Sequence, residues 1–347
     1  MSTQKLLLAA LRGERTERVP FWFMRQAGRY LSEYRRLRAQ AGGFLDLCLD
    51  PTLATGCSVT SVASFGMDAA ILISDILMVP HGLGQPVTFT EGEGPKLDRL
   101  IEGERLPTLD RAAFAARLAP VYDTVAELVP RLPDGCALIG FAGAPWTVAT
   151  YMIEGGTSRD FGRTKERAYH DPAWFAGLID LLVEATVEHL SAQIRAGAEA
   201  VQLFDSWAGA LSPAAFERWS IAPTRAIVAA LRERHPVVPI IGFPRAAGAG
   251  YLDYAAGTGV NAIGLDTSVP CRWAARELQG RAALQGNLDP QLLAIGGAAM
   301  LEETEAILEA LGKGPFVFNL GHGIVPETPV EHVAQLSQRL RAWHRPR

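Results

Sequence analysis

Short apolar runs rich in β-branched residues alternate with longer amphipathic stretches along most of the chain. The clearest unit lies between Asp171 and Ser206. Phe175, Leu178, Ile179, Leu182, Val183, Val187, Leu190 and Ile194 recur at helical spacing and mark one buried face. Gly197 follows as a C-cap, and residues 200–204 then form a short apolar run, the pattern of a parallel strand buried on both faces. The same grammar predicts strands at 19–23, 69–73, 137–141, 200–204, 238–242, 262–265, 282–285 and 316–319. Helical patterns fill most of the gaps, including 214–234, 298–311 and 330–343.

Eight strands separated by helices predict an α/β fold, a single (β/α)8 barrel of the TIM type rather than an open doubly wound sheet. Residues 1–347 are then one domain. The barrel is expected to be somewhat distorted, because about 45 residues separate the first two strands. That stretch must hold helices or a long loop packed at the barrel mouth. In such barrels chemistry gathers at the C-terminal ends of strands. The exits read Met24-Arg25-Gln26, Ser74-Asp75, Ala142-Gly143, Asp205-Ser206, Phe243-Pro244-Arg245, Asp266-Thr267, Gly286-Asn287 and Leu320-Gly321-His322. Polar groups cluster there while the strands are apolar.

Composition changes the picture in four places. A net charge of −4 argues against nucleic acid as a partner. Cys48, Cys57, Cys136 and Cys271 are scattered without a CxxC pair or a histidine cluster, which fits reduced thiols better than disulfides or zinc. The N-terminal apolar run Leu6–Leu11 is too short for a signal segment or a membrane span, so a cytoplasmic location is expected. Only four of the 33 basic residues are lysine. That excess reflects either composition bias or the bidentate fork with which arginine grips carboxylates and phosphates.

Placement favours the second reading at some positions. A helix running from Met24 to Ala39 would set Arg25 and Arg29 on one face near its N-terminus, suited to a polyanionic substrate; the alternative is a solvated basic helix. Asp75 sits among Ile73, Ile76, Leu77 and Met78 at a strand exit, either tied into hydrogen bonds or held for chemistry. The glycine-rich segment 140–147 lacks a phosphate-loop pattern, and its small residues suit close approach to a bulky ligand. Tyr151 lies beyond it on a predicted helix. Ser206 and His322 each follow a strand and can donate hydrogen bonds to carboxylates. A Ser–His nucleophile pair lacks the GxSxG elbow.

Taken together, these residues resemble the uroporphyrinogen decarboxylase family. The similarity lies in PFWFMRQAGRYL at 20–31, ISDIL at 73–77, GFAGAPWTVATYMIEG at 140–155, LFDSWAG at 203–209 and NLGHG at 319–323. It covers nearly the whole chain in order. One departure is Ser32, where a proline is usual, and it should affect only the local helix start. The resemblance implies a (β/α)8 homodimer that removes four acetate carboxyls from uroporphyrinogen III, giving coproporphyrinogen III without cofactor or metal. It implies Arg25 and Arg29 as carboxylate clamps with Gln26, Ala27 and Gly28 as the backbone between them. Asp75 would face the pyrrole nitrogens, and Tyr151, Ser206 and His322 would complete the substrate site. The proton would come from Arg25 or ordered water.

Three rivals remain. A zinc-dependent corrinoid or coenzyme M methyltransferase shares the superfamily but needs a His-x-Cys ligand pair, where 243–248 reads FPRAAG. A non-catalytic porphyrinogen-binding relative would not need Asp75 and Tyr151. A phosphorylated metabolite could use Gly321 and Gly323 as a phosphate loop.

Overall fold

The computed structural model describes residues 4–90, 94–100 and 105–344. Its strands are β1 (Ala69–Ile71), β2 (Val87–Thr90), β3 (Gly94–Leu97), β4 (Ala137–Gly143), β5 (Ala200–Asp205), β6 (Ile240–Pro244), β7 (Ala262–Gly264), β8 (Ala283–Leu288) and β9 (Phe316–Leu320). Seven of them form one parallel sheet in the order β1-β4-β5-β6-β7-β8-β9, while β2 and β3 pair separately as an antiparallel hairpin. The sequence reading did not foresee that hairpin.

The eighth position belongs to residues 19–23, which the alternation predicts as a strand but which form only one bridge. Phe21 pairs in parallel with Phe318 of β9. The Phe318 N–H donates to the Pro20 carbonyl at 2.8 Å, and the Trp22 N–H donates to the Phe318 carbonyl at 3.3 Å. On the β1 side a side chain replaces the ladder. The Phe21 N–H donates to Asp68 Oδ2 at 2.9 Å, and the Asp68 N–H donates to the Phe21 carbonyl at 2.9 Å. Arg18 grips both oxygens of Asp68, at 2.8 and 2.6 Å. A bidentate guanidinium thus closes the ring between β9 and β1.

Inside, Trp22 Nε1 donates to Gln285 Oε1 at 2.9 Å, and Gln285 Nε2 donates to Gln202 Oε1 at 3.0 Å, a polar thread from the closing segment through β8 to β5. Above it Phe141 and Phe243 meet Phe204 edge-on, with centroids 5.5 and 6.0 Å away. Outside, helix Pro172–Ala196 buries six of its eight predicted apolar positions, and Val183 and Ile194 are half-buried. Asp171 caps it, Gly197 ends it at φ +123°, and Gln193 binds both the N–H and the carbonyl of Phe141 at 2.9 Å. That amide ties helix to barrel.

Two expectations need correction. The helix predicted over 214–234 is three pieces: Pro213–Phe216, a wide π-type turn at Glu217–Ile221, and Ala222–Arg234. Pro223 has no N–H to continue the regular ladder, and the wide turn absorbs the break. No helix starts at Met24. Arg25 adopts φ +61°, Gly28 lies where a Cβ would sit 2.8 Å from the Arg25 carbonyl, and the helix spans only Ser32–Ala41. The long first gap is otherwise helical, with Phe44–Cys48 and Pro51–Phe65 leading into β1.

Candidate active site

Arg25 is the first charge past the closing segment, and its pose is built by neighbours. Met24 is held through its N–H on Asn319 Oδ1 at 3.0 Å and its carbonyl on the Ile324 N–H at 2.9 Å. The stem of Arg25 lies over Gly323, where a Cβ would come 2.4 Å from its Cδ and 2.9 Å from its Nε. Only glycine leaves that space. Gly323→Ala should therefore displace Arg25 rather than unfold the barrel. The expected result is a fall of about tenfold in kcat/KM with an unshifted melting midpoint; unchanged kinetics would separate Arg25 from the chemistry.

The segment that follows is a run of turns. Gln26 is buried and turns inward, its Nε2 on Ser61 Oγ at 3.2 Å and its carbonyl on Tyr30 Oη at 2.7 Å. Ala27 is buried too. These two residues and Gly28 act as scaffold. Arg29 is exposed, its carbonyl fixed by Arg35 at 2.7 Å, and its guanidinium has no hydrogen bond or ion pair among the described residues.

Asp75 stands one strand further round. Its Oδ1 accepts the Leu77 N–H at 2.8 Å, which fixes the carboxyl in a tight turn. Burial pushes its pKa up to about 6, while the Leu77 amide and the charge of Arg25 pull the other way. No ion pair within 4.0 Å joins the two among the described residues. Arg25 is exposed as a residue, but partial desolvation of its guanidinium draws it below the usual arginine value, with the attraction of Asp75 opposing and the repulsion of Arg29 adding. The charges share a field without neutralising each other.

Tyr151, in helix Pro145–Glu154, is pushed up to about 12 by burial and by the charge of Asp75. His322 is pulled down to about 4 by burial and by Arg25 and Arg245, so it is neutral near pH 7. The structure therefore gathers Arg25, Asp75, Tyr151 and His322 in one electrostatic cluster at the barrel mouth. Ser206 is half-buried at the β5 exit, and it adjoins the group through Trp207, whose ring lies 6.2 Å from that of Tyr151.

Two buried acids at the same rim are structural. Asp205 accepts from Thr147 and Ser220 hydroxyls at 2.6 Å each. Asp266 would be raised by burial, but hydrogen bonds from Ser268, Ala246 and Tyr251 hold it below the usual carboxylate range. Arg245, directly after β6, acts on His322 as Arg25 does; the exit was named from the sequence but its charge was given no role there. Trp207 and Phe161, with rings 5.3 Å apart, carried no signal in the sequence. A groove of about 470 Å³ on the outer wall, lined by residues such as Val183, Val187 and Trp219, contains none of these groups.

Among the described residues no three His, Cys, Asp or Glu side chains gather as a metal-binding set. Cys271 spends its thiol on Asn287 Oδ1 at 3.0 Å.

A methyltransferase from Methanosarcina mazei superposes with a TM-score of 0.79, covering 99% of this chain and 100% of that one at 18% identity, a likeness of fold. The sequence is 52% identical over 340 residues to a uroporphyrinogen decarboxylase from Rhodospirillum rubrum, covering 98% of each chain. A uroporphyrinogen decarboxylase from Novosphingobium aromaticivorans is 50% identical over 339 residues, covering 98% of this chain and 99% of that one. The sequence model described as uroporphyrinogen decarboxylase (URO-D) matches residues 2–343. By these matches over nearly its full length, the chain belongs to the uroporphyrinogen decarboxylase family.

Proposed function

We propose that this chain converts uroporphyrinogen III to coproporphyrinogen III, releasing four molecules of CO2, one from each acetate side chain. The observation that carries the reading is Asp75: a carboxylate set in the field of Arg25 yet not paired with it.

The chemistry follows from where electrons go. Breaking the bond between an acetate methylene and its carboxylate leaves an electron pair that needs an acceptor. Many decarboxylases recruit a cofactor as that acceptor. A pyrrole protonated on carbon is itself a cation and can take the pair. The methylene then gains a proton to become a methyl, the ring loses its added proton, and one proton is consumed for each CO2 released. The substrate serves as its own electron sink, so we assign no cofactor and no metal to the reaction.

Asp75 stabilises the cationic ring, provided its own charge survives. Arg25 is a clamp set in the same field as Asp75. Arg29, without a side-chain partner among the described residues, offers a fork for another carboxylate, Tyr151 and neutral His322 offer donors, and Ser206 adds a hydroxyl at the β5 exit. The single barrel holds every one of these groups. We extend the reading to a homodimer in the cytoplasm, as the family resemblance implies; among the described residues no helix is long and apolar enough to cross a membrane. Sedimentation of the purified chain at twice its monomer mass is the expected result.

The test is anaerobic incubation of the purified chain with uroporphyrinogen and no additive. A product carrying four carboxylates is expected. Intact substrate, or turnover only after metal is supplied, would remove the proposal. The pH profile gives a second check. Because Asp75 must be ionised and its pKa lies at about 6, kcat/KM should fall by about tenfold per unit as pH drops below 6. His322, at about 4, titrates too low to set that limb. A flat profile from pH 7 to 5 would contradict the need for an anion.

A further inference from the structure

Arg245 follows β6 directly, and its backbone is locked more tightly than a rim loop requires. Its N–H donates to the Asp205 carbonyl at 3.1 Å, and its carbonyl accepts the Gly209 N–H at 3.0 Å. The next residue, Ala246, sits at φ +59°, a region that L side chains rarely adopt, and its N–H donates to Asp266 Oδ2 at 2.6 Å. Asp266 is fixed in turn by the Tyr251 hydroxyl at 2.9 Å and by the N–H and hydroxyl of Ser268 at 2.8 and 2.6 Å. Gly209 makes room for the turn, since a Cβ there would come 2.4 Å from the Ala246 carbonyl. A backbone conformation of this kind persists only where the surroundings over-determine it.

What this scaffold presents is a half-buried guanidinium with no hydrogen bond or ion pair among the described residues. Arg18, Arg111, Arg225 and Arg234 all have carboxylate partners. Position round the ring adds direction. With residues 19–23 between β9 and β1, the order runs from that segment through β1, β4 and β5 to β6. The β6 exit therefore lies four places from the exit carrying Arg25, on the opposite wall of an eight-membered ring. The fields of both arginines meet at His322. Guanidinium on facing walls fits a broad macrocycle with carboxylates on opposite edges.

We propose that Arg245 is a positioning residue that holds a propionate carboxylate of the tetrapyrrole against the wall opposite Arg25 and Asp75. This rests on the decarboxylase reading above. The propionate is the group of choice because an anchor used at all four steps must grip something that survives them, and each step destroys an acetate.

The experiment measures KM for uroporphyrinogen and the inhibition constant of coproporphyrinogen, both kept reduced under anaerobic conditions, with melting midpoints as the folding check. Coproporphyrinogen keeps propionates and has no acetates. In Arg245→Gln both constants should rise by about tenfold while kcat stays within about threefold. In Arg245→Lys, which keeps the charge but loses the fork, both should rise by a smaller factor. A raised KM with an unchanged inhibition constant overturns the propionate assignment, and so does a fall in kcat alone. Constants equal to wild type in both variants overturn the role altogether while leaving the decarboxylase reading intact. Failure of the wild-type chain to consume uroporphyrinogen overturns both.

Discussion

Replacing Asp75 with Asn should lower kcat by about 10² to 10³ while the protein keeps its fold. The substitution is nearly isosteric. Asn retains the Oδ1 that accepts the Leu77 N–H at 2.8 Å, so the turn at the β1 exit has no reason to move. What vanishes is the negative charge. In the proposed reaction positive charge appears on the pyrrole when a ring carbon is protonated, before the acetate bond breaks, and a preorganised anion costs no reorganisation to meet it. One such group is worth about 3–4 kcal/mol of barrier. Steady-state turnover by the variant, with circular dichroism as a folding control, provides the measurement. The acid limb near pH 6 should vanish along with the activity. Near-normal turnover would mean that this carboxylate merely shapes the loop.

The largest structural effect is expected at the seam. Asp68→Ala removes both carboxylate oxygens that Arg18 grips and the acceptor of the Phe21 N–H together, leaving Arg18 only the Val19 carbonyl at 3.4 Å. Arg18 shows how much it leans on this partner. Burial alone would lower its pKa, yet the hydrogen bond and charge of Asp68 raise it. Breaking a fully buried pair from one side costs about 3–5 kcal/mol. The Arg18 side chain is 20% exposed, so solvent recovers part of that, and a loss of about 2–4 kcal/mol is expected. It should appear as a lower urea midpoint. Glu184→Ala, which removes one of the two carboxylates at the exposed Arg111 and leaves Glu188, is the contrast and should change stability by less than about 1 kcal/mol. Equal midpoints for the two variants would mean that Asp68 does not hold the ring shut.

Much of this architecture was legible from residue order because parallel strands buried on both faces leave a continuous apolar run. Seven of the eight such runs are strands, displaced by a few residues at their ends. The eighth, at 19–23, obeys the same pattern but owes its place to Arg18 and Asp68, a contact between residues far apart in sequence. The turns after Met24 were misread for a similar reason. Nothing in RQAGRY announces that Arg25 takes a positive φ, which is set by Gly28 and by Gly323 from the other side of the seam. Asp75, Tyr151, Ser206 and His322 were readable as strand-exit or family-pattern residues. The inward turn of the Gln26 side chain was not, and neither was the free guanidinium of Arg245. Whether a polar group has a partner is a property of tertiary structure alone. The hairpin at 87–97 carried β-branched residues, but Pro86, Pro95 and the surrounding glycines masked them.

The seating of Arg25 over Gly323 has a bearing on synthesis at the ribosome. A chain still short of residue 323 lacks the surface over which Arg25 lies, and until β9 is made the segment at 19–23 has only its neighbour on the β1 side. Catalytic competence therefore arrives abruptly, late in translation, and a prematurely terminated product would carry most of the polar rim without the ability to turn over its substrate.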